Sequence, residues 1–147
     1  MDSIHILLVE DNEGDIVLTT EALNEAGFNH TLSVTRDGWE AMQYLNKHGD
    51  YAEAVRPDLI LLDINLPKLN GHEVLTKIKQ NTHLKEIPTV ILSTSSDNRD
   101  IKKSYRNYSN CYIVKPSDIH SFTNVIASIE NFWIKIAELP NKDDKMR

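Results

Sequence analysis

Apolar runs and amphipathic stretches alternate along this chain, and the alternation predicts its elements. Residues 4–9, IHILLV, are apolar at nearly every position, the pattern of a strand buried on both faces. Residues 13–26 follow with a helical spacing that turns Ile16, Leu23 and Ala26 inward, and Gly27 stands where a helix C-terminus favours glycine. Residues 31–35, TLSVT, alternate as a short strand. Residues 37–47 then make a helix with Trp39, Met42 and Leu45 available for burial. A polar loop over 48–56 leads to DLILLD, 58–63, a second fully buried strand. The helix over 71–80 uses Val74, Leu75 and Ile78. PTVILS, 88–93, is the fourth strand, entered at Pro88, and residues 97–107 form a helix capped by Ser96 or Asp97. CYIV, 111–114, is the fifth strand, and residues 118–137 read as one long helix.

Near-continuous apolar strands separated by helices imply a parallel sheet covered on both faces. With right-handed crossovers the fold class is α/β, a (βα)5 doubly wound parallel five-stranded sheet. A length of 147 residues suits one domain, placed at 1–139, with a polar tail, PNKDDKMR, expected to fray over 140–147. The net charge of −6 argues against nonspecific binding to nucleic acid or to acidic membranes. No apolar run approaches the roughly 18 residues of a membrane span. The start, MDSIHILLVED, lacks the basic region and cleavage site of a signal peptide. The single cysteine, Cys111, cannot form an internal disulfide, so a reducing cytoplasm is the expected compartment. The sequons at Asn29 and Asn107 read as chance. Histidines at 5, 30, 48, 72, 83 and 120 show no zinc-like spacing, none is expected near the motif ends, and none is given a site.

In a doubly wound fold the loops after the strands gather at one edge, where ligands bind. The first strand ends in Glu10-Asp11, the third in Asp63, the fourth in Ser93-Thr94 and the fifth in Lys115-Pro116. Three clustered carboxylates repel one another unless a cation joins them. A hard divalent ion with oxygen ligands and retained waters answers that, and Mg2+ fits best. A lysine supplies a compact positive charge for an anionic oxygen, and a hydroxyl donates to another. Such an edge can hold a phosphoryl group attached to a carboxylate, which is what phosphoryl transfer needs.

The motifs VEDN, LLDINLPKLNG, PTVILSTS and YIVKP, in that order, resemble the receiver domain of two-component response regulators over about residues 4–137. The resemblance implies a 2-1-3-4-5 strand order. It implies that Asp63 is the phosphoacceptor, that Asp11 binds the metal directly, and that Glu10 does so through water. Asn65 matches the position whose backbone carbonyl ligates the metal. Ser93 matches the switch hydroxyl, Lys115 the lysine of the pattern, and Tyr112 the aromatic that changes exposure on activation. The Lys115–Pro116 bond is expected to be cis. Glu10 and Ser93 depart mildly from the commoner aspartate and threonine, and both keep the needed oxygen. The wording DNEGDIVLTTEAL and SIENFWIKIAELP resembles the stand-alone receivers associated with bacterial phytochromes and other sensor or hybrid histidine kinases.

Other classes fit less well. Haloacid dehalogenase-type phosphatases share the strand-end Asp, Ser/Thr, Lys and magnesium, but place a second acid two residues after the nucleophile, where this chain has Asn65. A dinucleotide-binding domain lacks its G-x-G-x-x-G after the first strand. A phosphorylation-independent scaffold would not need so complete a site. On the receiver reading the protein is not an enzyme acting on a free substrate. It accepts a phosphoryl group from a histidine kinase or phosphotransfer protein and signals through the face of helix 4, strand 5 and helix 5. No output domain is expected in this sequence, which shows no second core and no helix-turn-helix segment. Phe132, Trp133 and Ile136 are expected beyond the end of the sheet, where they call for another surface, and homodimerisation is the expected use.

Overall fold

The computed structural model describes residues 3–25, 27 and 29–140. Its five parallel strands are β1 (Ile4–Val9), β2 (His30–Thr35), β3 (Leu59–Leu62), β4 (Thr89–Ser93) and β5 (Cys111–Val114), in the spatial order β2-β1-β3-β4-β5. The helices are α1 (Glu13–Glu25), α2 (Gly38–Leu45), α3 (Gly71–Gln80), α4 (Asn98–Arg106) and α5 (Ile119–Ile129). The expected (βα)5 sheet and its strand order are therefore observed. No helix among the described residues is long and apolar enough to cross a membrane.

Alternation along the central strands divides the core. Leu7, Val9, Ile60, Leu62 and Ile91 pack beneath α2 and α3, while Ile6, Leu8, Leu59, Leu61, Val90 and Leu92 pack against α1 and α5. Every residue of β3 and β4 is buried, as double-sided cover requires. Local signals place the helices. Asp37 caps α2 by accepting from the Glu40 amide, and Asn70 and Glu73 form a reciprocal capping box at α3. Asp97, not Ser96, caps α4. Gly27 follows α1 with φ of +75°, the left-handed geometry that favours glycine. Ala26 and the tail beyond residue 140 lie outside the described residues.

Four expectations need correction. Trp39 is 54% exposed rather than buried. The inward stripe of α2 is Gly38, Ala41, Met42, Tyr44 and Leu45, and Trp39 falls beside it. Gly38 fixes that rotation, because a Cβ there would lie 1.9 Å from the Leu69 carbonyl oxygen. The polar loop over 48–56 contains a short 3-10 turn at Gly49–Tyr51, whose Tyr51 ring meets Tyr44 edge-on at 5.3 Å. The long helix over 118–137 is not a single α-helix. It stops at Ile129 and continues as a wide π-helical segment over Glu130–Ile136. The wider turns bring Trp133 and Ile134 back onto the core while Phe132 and Ile136 stay outside. Finally, no cis peptide occurs among the described residues, so Lys115–Pro116 is trans. The trans form is the ordinary preference before proline by about 0.5–1 kcal/mol, and Lys115 reaches its partners from it.

Candidate functional site

The C-terminal ends of β1, β3 and β5 meet as expected. Glu10 is 2% exposed and Asp63 7%, because each follows a strand buried through its last residues whose ladder continues into it. The Glu10 amide donates to Thr35 O at 3.0 Å and the Asp63 amide to Val9 O at 3.1 Å. Carboxylate oxygens of Glu10, Asp11 and Asp63 lie within 4.8 Å of one another. The loop after β3 folds back tightly over Asp63. A Cβ on Gly71 would stand 2.2 Å from the Asp63 carbonyl oxygen, so only glycine permits that approach. Asp63 Oδ1 accepts from the Ile64 amide at 2.8 Å and, at the limit of hydrogen bonding, from the Asn65 amide at 3.5 Å.

Lys115, buried at the end of β5, is the cation of the cluster. Its ammonium donates to Glu10 Oε1, to Asp15 Oδ2 at 2.9 Å and, more weakly, towards Asp63 Oδ2 at 3.5 Å. One positive charge thus faces three carboxylates. Burial pushes Glu10 up to about 7, opposed by the Lys115 bond and reinforced by the charge of Asp63. Burial alone would lower the lysine, but the Glu10 bond and the Asp63 charge outweigh it and raise its pKa. Negative charge therefore exceeds positive here. Added to the oxygen-only donor set of Glu10, Asp11 and Asp63, that excess fits a hard divalent cation.

The hydroxyl side is assembled differently. Ser93 is fully buried, and its Oγ accepts from the Ser95 amide at 3.2 Å. Tyr112 is partly buried against the α2/α3 side of the core, and its hydroxyl donates to Ser95 O at 2.8 Å. Asn65 is exposed beside Asp11 on a cleft of about 520 Å3 that His72 and Asp100 also line. The expectation that no histidine lies near the motif ends is thus corrected, for His72 follows Gly71 directly. Sequence reasoning also passed over Asp15, Ser95 and Asp100. Asp15 stands four residues after Asp11, one helical turn on, and that spacing was its only signal. Asp100 gave none, since its partner His72 is 28 residues away. Of the residues expected to reach beyond the sheet, Phe132 is 51% and Ile136 63% exposed, whereas Trp133 packs onto the core with its ring 5.3 Å from that of Phe132.

Comparison with known proteins gives the same grouping. The profile described as "Response regulator receiver domain" matches residues 6–127. The chain belongs to the response-regulator receiver family. The receiver is 44% identical over 135 residues to Response regulator Rcp1 of Synechocystis, covering 92% of each chain. Among solved structures it resembles the phosphorylated cyanobacterial phytochrome response regulator RcpA, at 49% identity and a TM-score of 0.93, over 95% of this chain and 99% of that one. It also resembles the Mn2+-bound form of Rcp1, at 44% identity and a TM-score of 0.91, over 93% and 99%.

Proposed function

We propose that this receiver takes a phosphoryl group onto Asp63 from a sensor or hybrid histidine kinase, of phytochrome type, or from a phosphotransfer protein. The observation that carries the reading is one buried lysine held among Glu10, Asp15 and Asp63 at the strand ends. In the reaction a carboxylate oxygen of Asp63 forms an O–P bond as the donor's N–P bond breaks, and the departing imidazole nitrogen takes up a proton. The Ile64 and Asn65 amides hold the carboxylate for that displacement. Lys115 offers its ammonium to a phosphoryl oxygen, and Ser93 offers its hydroxyl to another. Mg2+ is the proposed ion, held by Glu10, Asp11, Asp63 and the backbone carbonyl of Asn65, and when bound it supplies charge neutralisation for the transferring group. Phosphatase turnover is not favoured, since the exposed residue two beyond Asp63 is Asn65 and not an acid.

The phosphoryl group adds charge and acceptor oxygens at one end of β3. Ser93 and Tyr112, joined through Ser95, transmit that change to the face formed by α4, β5 and α5. Moving such a switch from mostly off to mostly on takes about 5.5 kcal/mol of differential stabilisation. Tyr105, Tyr108, Val114, Ile119, Phe132 and Ile136 are all exposed, and the receiver, residues 1–139, uses Phe132 and Ile136 to form a homodimer in the cytoplasm. Incubation with a small-molecule phosphodonor and Mg2+ should give a base-labile adduct that Asp63→Asn abolishes. Labelling that survives the substitution would move the acceptor elsewhere.

A further inference from the structure

The loop between β4 and α4 hangs on Ser95. Its amide donates to Ser93 Oγ at 3.2 Å, its carbonyl accepts from the Tyr112 hydroxyl at 2.8 Å, and its hydroxyl donates to Asp100 Oδ2 at 2.6 Å. The same Ser95 oxygen accepts from the Asp97 amide at 3.3 Å. Every polar atom of Ser95 is therefore engaged. The other oxygen of Asp100 meets His72 Nε2 at 3.0 Å. His72 is buried and its Nδ1 has no partner among the described residues, so Asp100 is what orients the ring. His72 in turn follows Gly71, whose backbone lies against the Asp63 carbonyl. A continuous path of short contacts runs from the loop after Asp63, across α3 and α4, to the serine and tyrosine of the hydroxyl side.

Resting on the phosphoacceptor reading, we propose that Asp100, oriented by His72, is a positioning residue that fixes Ser95 and through it the direction of the Ser93 hydroxyl. The Ser95 amide donates to Ser93 Oγ and the Tyr112 hydroxyl also bonds it, so the oxygen is held from two sides and its proton can be directed to a phosphoryl oxygen. Without Asp100 the loop loses its charge-assisted anchor, and that proton is no longer directed. The bond from Ser95, followed by that from His72, holds the Asp100 carboxyl below its ordinary range, so it is a charged acceptor at neutral pH. The competing role for Asp100 is only to complement the N-terminus of α4 with negative charge. Asp97 separates the two, since it is acidic at the same helix end and its carboxylate accepts from Arg99 rather than from Ser95 or His72.

The test uses the full chain with acetyl phosphate and Mg2+, following adduct formation and its decay by intact mass. Asp100→Ala should slow formation by roughly fivefold, the effect of losing about one effective hydrogen bond, while Asp97→Asn stays within about twofold of wild type. His72→Ala should be intermediate, His72→Gln should restore most of the rate, and the double variant of His72→Ala with Asp100→Ala should be no slower than Asp100→Ala. If Asp100→Ala does not fold, the His72→Ala and His72→Gln pair decides alone. Equal effects of Asp100→Ala and Asp97→Asn, additive effects in the double variant, or no rescue by Gln would overturn the proposal. A wild-type chain that takes no phosphoryl group would overturn the phosphoacceptor reading with it, whereas wild-type labelling with unaffected variants sinks the positioning role alone.

Discussion

The centre of the sheet and its α4–β5 edge are built on opposite terms. β1 and β3 are apolar almost throughout, and Leu7, Val9, Leu59, Ile60, Leu61 and Leu62 are completely buried. The acids that follow them inherit fixed positions. α4 buries only Ser104, whose hydroxyl has no partner among the described residues. It is attached by polar contacts: Asp100 to His72 and Ser95, and the Tyr105 hydroxyl to the Tyr112 amide at 3.1 Å on the open edge of the sheet. Elements with few buried apolar contacts open at low free-energy cost. The contrast teaches a division of labour in which the centre holds charge in place and the α4 side changes arrangement.

Lys115 offers the largest test of the centre. Lys115→Ala leaves Glu10, Asp15 and Asp63 without their shared cation and should cost about 3–5 kcal/mol in chelator, measured by urea unfolding. Divalent cation should recover part of that loss. A change below about 1 kcal/mol would mean the centre does not depend on its cation.

Glu10 gives the next effect. Its folded pKa, about 7, lies above its ordinary 4.5, so the folded protein holds a proton that the unfolded chain releases. That contribution is fully present below pH 4.5 and is lost as pH rises through 7, by on the order of 3 kcal/mol. Thermal melting in chelator should therefore weaken from pH 5 to 8, and Glu10→Gln should flatten the slope. Bound divalent cation should reverse the trend, because it needs the carboxylate deprotonated.

Gly71→Ala comes third. Its Cβ would meet the Asp63 carbonyl oxygen at 2.2 Å and the Ile64 Cα at 2.5 Å, both backbone atoms that cannot swing aside. A loss of about 1–3 kcal/mol is expected, with phosphorylation falling too. On the α4 side, Tyr105→Phe removes one exposed hydrogen bond and should cost about 1 kcal/mol or less. Faster exchange of the Tyr112 amide is its signature. If Tyr105→Phe destabilised the protein as much as Gly71→Ala, the division between the two regions would fail.

The same contrast explains what the sequence disclosed. Where burial dominates, periodicity is a sufficient guide, and β1, β3 and β4 and the acids and the hydroxyl at their ends stood where the apolar runs stopped. Asp63 and Lys115 were legible because a charge at the end of a buried strand has few bland explanations once several converge. Trp39 was not, because its exposure follows from Gly38 pressing on Leu69, a contact 31 positions away. The change of helix type after Ile129 also escaped, since the spacing of Phe132, Trp133 and Ile136 suits either form. Ser95, His72 and Asp100 are polar residues whose partners are set by tertiary packing and which no local pattern announces, while Asp15 had only its one-turn spacing from Asp11. The cis bond expected before Pro116 came from resemblance alone, and the structure has it trans.

The most direct measurement is amide hydrogen exchange on the full chain, with and without beryllofluoride and Mg2+ as a phosphoryl mimic. Changed protection should concentrate in residues 94–112, with β1 and β3 unaltered. Changes confined to β1 and β3, or none at all on saturation with the mimic, would contradict the division between a fixed centre and a movable α4 side.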